Sequence, residues 1–296
     1  MIRGFQRGSN LPATRGTTSA EAPMSMAKEA APVFYQMNVH RFLFLPLLLL
    51  LACVNLCART QQPSPADGFL ARSYHSAGGE TMQYRLFVPP GYSAAKKYPI
   101  VLWLHGANGR GSDNLLQISG GNFLGTHVWT AAGIQDKDPV FVLAPQVENT
   151  KTWSRPHVNT AGPVSLRLAF EILDAIEKEY SIDRDREYIA GQSMGGEGVW
   201  AALAAARGRF AGAIALCSDG FDDEIEPDAK VPVWIFQGDA DPIVSVERAR
   251  EWLAELRAAG GSPKYTEVPG VGHNVWDTAF ANPDAAIWLL SQHRVK

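Results

Sequence analysis

Apolar positions along this chain fall into two alternating kinds of run. The first is short and unbroken: Ile100 to Leu104 in "YPIVLWLHG" and the body of "PVFVLAPQ" show no polar alternation, as strands buried on both faces require. "MQYRLFVPPG" predicts a strand stopped by Pro89 and Pro90, and "REYIAG", "FAGAIALCSD", "VPVWIFQGDAD" and "KYTEVPG" predict others. The second kind repeats at helical spacing. In "VSLRLAFEILDAIEKEYSID", Leu166, Phe170, Leu173 and Ile176 form one stripe with charges opposite. "SVERAREWLAELRAAGG" predicts an amphipathic helix ending at Gly260, and "AAIWLLSQ" a closing helix. Strands alternating with helices imply an α/β fold, with a mostly parallel central sheet and helices on both faces. Loops at the carboxyl ends of such strands usually build the site, and the stretch from Gly106 to Trp129 is the least regular in the sequence.

"GQSMGG" sits where a predicted strand hands over to an alanine-rich helix. A bare G-x-S-x-G pattern is a weak signal, and its context decides. Glu187 to Ala190 supply the strand and Gly198 to Ala206 the helix. The pattern therefore fits a sharp turn that lifts the Ser193 hydroxyl above the sheet edge while small neighbours let the backbone pack closely. A serine hydroxyl is a poor nucleophile alone; it needs a base, and the base needs an orienting carboxylate. Both are expected downstream in the order serine, acid, histidine, and "FQGDADPIV" and "PGVGHNVW" each follow a predicted strand. Asp239 and Asp241 compete for the acid role.

With these blocks the chain resembles the α/β-hydrolases, specifically secreted esterases related to dienelactone hydrolases, phospholipase/carboxylesterases, and polyhydroxybutyrate-depolymerase-like and feruloyl-esterase-like proteins. The resemblance runs from about Met82 to Leu290 and rests on "LHGANGRGSDN", "APQ", "GQSMGG", "GDADPIV" and "GVGHNVWD". It implies the α/β-hydrolase fold, with Ser193 as nucleophile, His273 as base and Asp241 as the acid that holds the imidazole. Asp241 is preferred because the family's acid directly precedes a proline and an apolar pair, here beginning at Pro242 and Ile243. Asp239 is then a turn residue accepting backbone hydrogen bonds. The resemblance also implies an oxyanion hole made by the backbone N–H groups of Ala107 and Met194, with His105 supporting the loop.

The activity so implied is serine carboxylic-ester hydrolysis through an acyl-enzyme, on a small acyl ester or an acyl- or feruloyl-decorated polysaccharide. An exported serine peptidase or amidase of the prolyl-oligopeptidase type shares the same triad, although no propeller repeat accompanies it here. A binding protein on a retired hydrolase fold is the alternative from another class. Trp153 and Trp276 are candidates for an aromatic substrate wall, with Trp129 and Phe123 beside them; ordinary packing is the alternative for each. His127 and His157 lie in irregular regions, where they are solvated or line the pocket.

Composition narrows the partners. Over 296 residues the chain is 46% hydrophobic and 19% charged with a formal net charge of -3, an ordinary balance for a globular protein. It shows no basic stripe for nucleic acid. No group of His, Cys and Asp has metal-ligand spacing, and the glycines of "GANGRG" do not match a dinucleotide fingerprint, so neither a metal nor an organic cofactor is implied.

One segment departs from the folded pattern. "MNVHRFLFLPLLLLLACVNLCA" has the basic start, apolar middle and small-residue end of a secretory signal peptide. Its apolar run, Phe42 to Val54, is about 13 residues and is interrupted by Pro46, whereas a stable membrane span needs ~20. The expected organisation is an untranslated or disordered extension at 1–36, a signal peptide at 37–58, a linker at 59–68 and the catalytic domain at 69–296. The product is then secreted or periplasmic, with lipoprotein anchoring through Cys53 of "LLAC" as the alternative. Cleavage after Ala58 leaves Cys217 as a single thiol, which cannot form an internal disulfide.

Overall fold

The computed structural model describes residues 67–154, 164–220 and 230–294; the extension at 1–36, the signal peptide with its Cys53, most of the linker, and His157 lie outside them. Among the described residues the strands are β1 Phe69–His75, β2 Thr81–Phe87, β3 Tyr98–Leu104 and β4 Phe141–Gln146, followed by β5 Ile182–Gln192, β6 Gly212–Leu216, β7 Val233–Gly238 and β8 Lys264–Val268. They form a sheet of order β1-β2-β4-β3-β5-β6-β7-β8. β1 pairs antiparallel with β2 and β2 with β4, and the remaining neighbours are parallel. This is the α/β-hydrolase fold that the sequence implied.

The helices are α1 Phe123–His127, α2 Ala132–Gln135, α3 Val164–Glu179, α4 Met194–Ala205, α5 Val246–Ala258, α6 Trp276–Ala279 and α7 Asp284–Leu290. The inner strands β3, β4, β6 and β7 are buried on both faces, which is why their sequences read as near-continuous apolar runs. In β3, Ile100, Leu102 and Leu104 enter a core shared with α3, α4 and α5. Val101 and Trp103 point the other way, into a core shared with α2, α6 and α7. The α3 stripe delivers Leu166, Leu173 and Ile176 to the first core, widened by Leu168, Ala169 and Ile172. Ser245 caps α5, its Oγ accepting the Arg248 N–H at 3.1 Å.

β1 was not among the predicted strands. It pairs with β2 along its whole length, Phe69 opposite Phe87 through His75 opposite Thr81. As an edge strand it buries Phe69 and leaves its other residues half-buried or exposed, so its sequence carries no continuous apolar run.

The strand order places the site. From β3 the chain moves to β4 on one side; from β4 it crosses through α3 to β5 on the other side of β3. The loops leaving β3 and β5 therefore diverge to opposite sides of adjacent strands, whose ends pair at Leu104 and Gly191. That crevice is the topological switch point of an open parallel sheet, where ligands bind.

Candidate active site

Ser193 follows the last residue of β5 and precedes the first of α4. Its backbone adopts φ 52 and ψ -122, a left-handed region that side chains rarely enter. The Ser193 N–H donates to the carbonyl of Leu216 at 2.9 Å and the Ser193 carbonyl accepts the Glu197 N–H at 3.0 Å, so both flanks of the turn are held. The turn is possible only with glycines beside it. A Cβ at Gly191 would lie 2.2 Å from the Gly195 carbonyl oxygen, and one at Gly195 would lie 1.9 Å from that of Leu104. The small residues of the pattern are thus a requirement for α4 to begin directly over the end of β3.

The hydroxyl raised by this turn meets a histidine from the loop that follows the edge strand β8. Ser193 Oγ lies 2.8 Å from His273 Nε2, and His273 Nδ1 lies 2.8 Å from Asp241 Oδ2. The Asp241 side chain is wholly buried, and His273 is 17% exposed. A buried carboxylate needs its lone pairs filled. Asp241 Oδ1 accepts the N–H groups of Ile243 and Val244 at 2.8 and 3.1 Å, and Oδ2 also accepts from Gln237 Nε2 at 3.2 Å. With Asp241 ionised, Nδ1 of His273 is the donor of the pair, which leaves Nε2 free to accept from the serine hydroxyl. Asp239 does something else: it is exposed, and its Oδ1 accepts the Gly270 N–H at 2.6 Å, tying the turns after β7 and β8 together.

The loop after β3 is held by a neutral histidine. His105 is fully buried, and burial pushes its imidazole down to about 4. Its Nε2 accepts the Val147 N–H at 3.0 Å, so Nδ1 carries the proton and donates to the Gly106 carbonyl at 2.7 Å. Gly109 N–H donates to the same oxygen at 2.9 Å. A peptide unit is planar and trans, so anchoring the Gly106 carbonyl aims the Ala107 N–H the opposite way. Among the described residues neither the Ala107 N–H nor the Met194 N–H has a hydrogen-bond partner, and Ala107 is exposed.

The expected aromatic wall divides. Trp153 is completely buried, donates from Nε1 to the His105 carbonyl at 2.9 Å and packs edge-on against the His105 ring. It is a core residue behind the β3 loop, so the substrate-contact expectation for Trp153 is corrected: its surface is spent on α4 and the loop. Trp129 is likewise buried, donating to the Gly125 carbonyl at 2.7 Å. Trp276 is half-exposed, with its ring T-shaped to His273 at 5.6 Å between centroids. Phe123 is 42% exposed and stacks on His127, which is itself mostly covered.

Folding also brings one group of potential metal donors together that the spacing did not announce. Atoms of Cys217, Asp241 and His273 lie within 4.8 Å of one another. Two of these three are already hydrogen-bonded to each other, and burial pushes the Cys217 thiol well above its usual range, which keeps it protonated.

A family model supplies the decisive comparison: the model of the Esterase family matches residues 76–279. The chain belongs to the Esterase family. Ser193, Asp241 and His273 all fall within that match. This esterase-family chain is also similar to a thermostable esterase of known crystal structure, with 36% identity and a TM-score of 0.73 over 77% of this chain and 64% of that one. A feruloyl esterase module from Clostridium thermocellum, solved as a serine-to-alanine mutant complexed with sinapinate, shares the fold at 16% identity, with a TM-score of 0.58 over 77% of this chain and 89% of that one. Acyl-protein thioesterase 1 of Neurospora crassa is 31% identical over 129 residues, 40% of this chain and 52% of that protein. The esterase-family chain thus spans about half the length of that curated relative.

Proposed function

We propose that this member of the Esterase family is a serine hydrolase of carboxylic esters that works through an acyl-enzyme. The observation that carries the reading is the unbroken hydrogen-bond chain from Ser193 Oγ through His273 to Asp241, two contacts of 2.8 Å that end on a buried carboxylate. His273 Nε2 takes the hydroxyl proton as Ser193 Oγ attacks the ester carbonyl carbon, and Asp241 stabilises the imidazolium that forms. The negative charge moves to the carbonyl oxygen, which the N–H groups of Ala107 and Met194 receive. His273 then returns the proton to the departing alkoxide. A water attacks the acyl-enzyme by the same route in reverse, and the carboxylic acid leaves.

The substrate class we assign is a small acyl ester or an acyl or feruloyl group on a polysaccharide, with the half-exposed Trp276 ring bordering the site beside His273. Export through the segment at 37–58 belongs to the same proposal; among the described residues no helix is long and apolar enough to cross a membrane. N-terminal sequencing of the product from its native host tests export: a mature end near Arg59 supports it, and an intact residue 37–58 segment overturns it.

The catalytic reading is tested with p-nitrophenyl esters from acetate to dodecanoate, run on the wild type and Ser193→Ala in parallel. We expect turnover in the wild type, none in a folded Ser193→Ala protein, and a chain-length optimum that sizes the acyl site. Equal activity in both proteins would remove Ser193 from the mechanism.

A further inference from the structure

The Gly106 N–H does not point into the sheet ladder. It donates to Asn122 Oδ1 at 3.1 Å, and Asn122 Nδ2 donates in turn to the Leu116 carbonyl at 3.0 Å. Asn122 is 1% exposed and lies in the 3-10 turn Gly120–Asn122, just before α1. The preceding residue of that turn is held from another direction: Gln192 Nε2 donates to the Gly121 carbonyl at 3.0 Å. Gln192 is the residue immediately before Ser193, and it also packs on Gly106, where a Cβ would meet its side chain at 3.4 Å. On its outer side Gly121 lies against Trp276, whose ring a Cβ there would reach at 4.0 Å.

These contacts make a closed circuit. The loop after β3 is tied to the 120–122 turn by Asn122, the turn is tied to the residue before Ser193 by Gln192, and β5 is paired to β3 at Gly191 and Leu104. His105 fixes the carbonyl end of the Gly106–Ala107 peptide, while Asn122 fixes the N–H of the peptide before it. With both planar units anchored, the Ala107 N–H has little rotational freedom left.

We infer that Asn122, supported by Gln192, is a positioning residue for ester hydrolysis: it braces the oxyanion loop against the serine turn so that the Ala107 N–H faces the developing oxyanion. The inference rests on the proposed roles of Ser193 and Ala107. A donor is useful only if it is already aimed where charge appears, because a loose one must be reoriented during the reaction. Loss of the brace should therefore act on the transition state and spare ground-state binding.

The test measures kcat and KM for p-nitrophenyl acetate, and Ki for a trifluoromethyl ketone whose serine adduct carries the oxyanion, on the full chain and on Asn122→Ala and Gln192→Leu. Asn122→Ala is expected to lower kcat on the order of tenfold or more, below the 10² or more that follows removal of a whole oxyanion donor, with KM nearly unchanged. Ki should weaken by the same factor as kcat/KM. Melting curves show whether each variant is folded; if Asn122→Ala is not, Gln192→Leu decides, with a smaller fall in kcat at constant KM expected. A folded Asn122→Ala with unchanged kcat and Ki, or with a change in KM alone, overturns the brace, as does an indifferent Gln192→Leu where it is the deciding variant. Labelling by a fluorophosphonate separates the two levels. An inert wild type that takes no label overturns the Ser193 reading and the brace with it, whereas a labelled, active wild type beside an indifferent Asn122→Ala overturns the brace alone.

Discussion

Two aspartates two residues apart carry opposite duties in this molecule, and their surroundings say why. Asp241 is enclosed by the N–H groups of Ile243 and Val244 and by Gln237, with one oxygen on His273. Asp239 reaches outward to the Gly270 N–H. Asp241→Asn should keep the fold but present the wrong hydrogen-bonding group to His273, lowering kcat on the order of 10⁴-fold, while Asp239→Asn should leave kcat close to that of the wild type. Steady-state kinetics of the two variants side by side checks the assignment. The distinction was legible in sequence only through the resemblance, since both residues occupy the same short loop. Trp153 shows the opposite case: nothing local marks an aromatic residue as core or wall, and the structure places it wholly in the core.

At the scale of elements, the junction of β5 with α4 is the tightest piece of backbone packing near the site. A methyl group at Gly195 would sit 1.9 Å from the Leu104 carbonyl oxygen and 2.8 Å from that of His105, so α4 would have to lift off β3. Gly195→Ala should therefore destabilise the protein on the order of 3 kcal/mol, as overpacking against rigid backbone does. Urea unfolding read by tryptophan fluorescence measures this, with a lowered midpoint at constant slope as the expected result. Strand and helix on either side of Ser193 were readable because a short apolar run, "EYIA", passes through the glycine turn into an alanine-rich stretch. β1 was not, because an edge strand half in solvent has no continuous apolar run to betray it.

Across the whole molecule, the end of the sheet away from Ser193 holds a charged cluster unrelated to the hydrogen-bond chain. Glu187 on β5 is buried and receives Arg209 Nε at 2.8 Å, while the same guanidinium also pairs with Glu177 and Asp174 of α3. Burial, together with the neighbouring Glu177 carboxylate, outweighs Arg209 and raises the Glu187 carboxyl to about 7. A raised carboxyl binds its proton more tightly in the folded than in the unfolded state. Its contribution to stability is thus fully present below the ordinary glutamate value of about 4.5 and is lost as pH rises through about 7. Buried His105 works in the reverse sense, since its value is lowered to about 4 and stability is lost as pH falls from about 6.5 toward that value. Glu187→Gln removes only the first effect. The melting temperature of that variant, relative to the wild type, should become more positive between pH 4.5 and 7; a constant difference across that range would count against the raised carboxyl.

What the sequence by itself determined is what neighbours along a chain can encode. Unbroken apolar runs marked the buried strands, helical spacing marked the amphipathic helices, and the glycines around Ser193 marked a sharp turn, because all three are consequences of local backbone geometry. Convergence was decided only by the tertiary structure. Ser193 and His273 are 80 residues apart, and His273 and Asp241 are 32 apart. Their contact depends on strand order, which no local pattern states. The same holds for the burial of Trp153 and for the bond from Asn122 to the Gly106 N–H: each is a packing outcome between segments whose separate sequences carry no mark of the other.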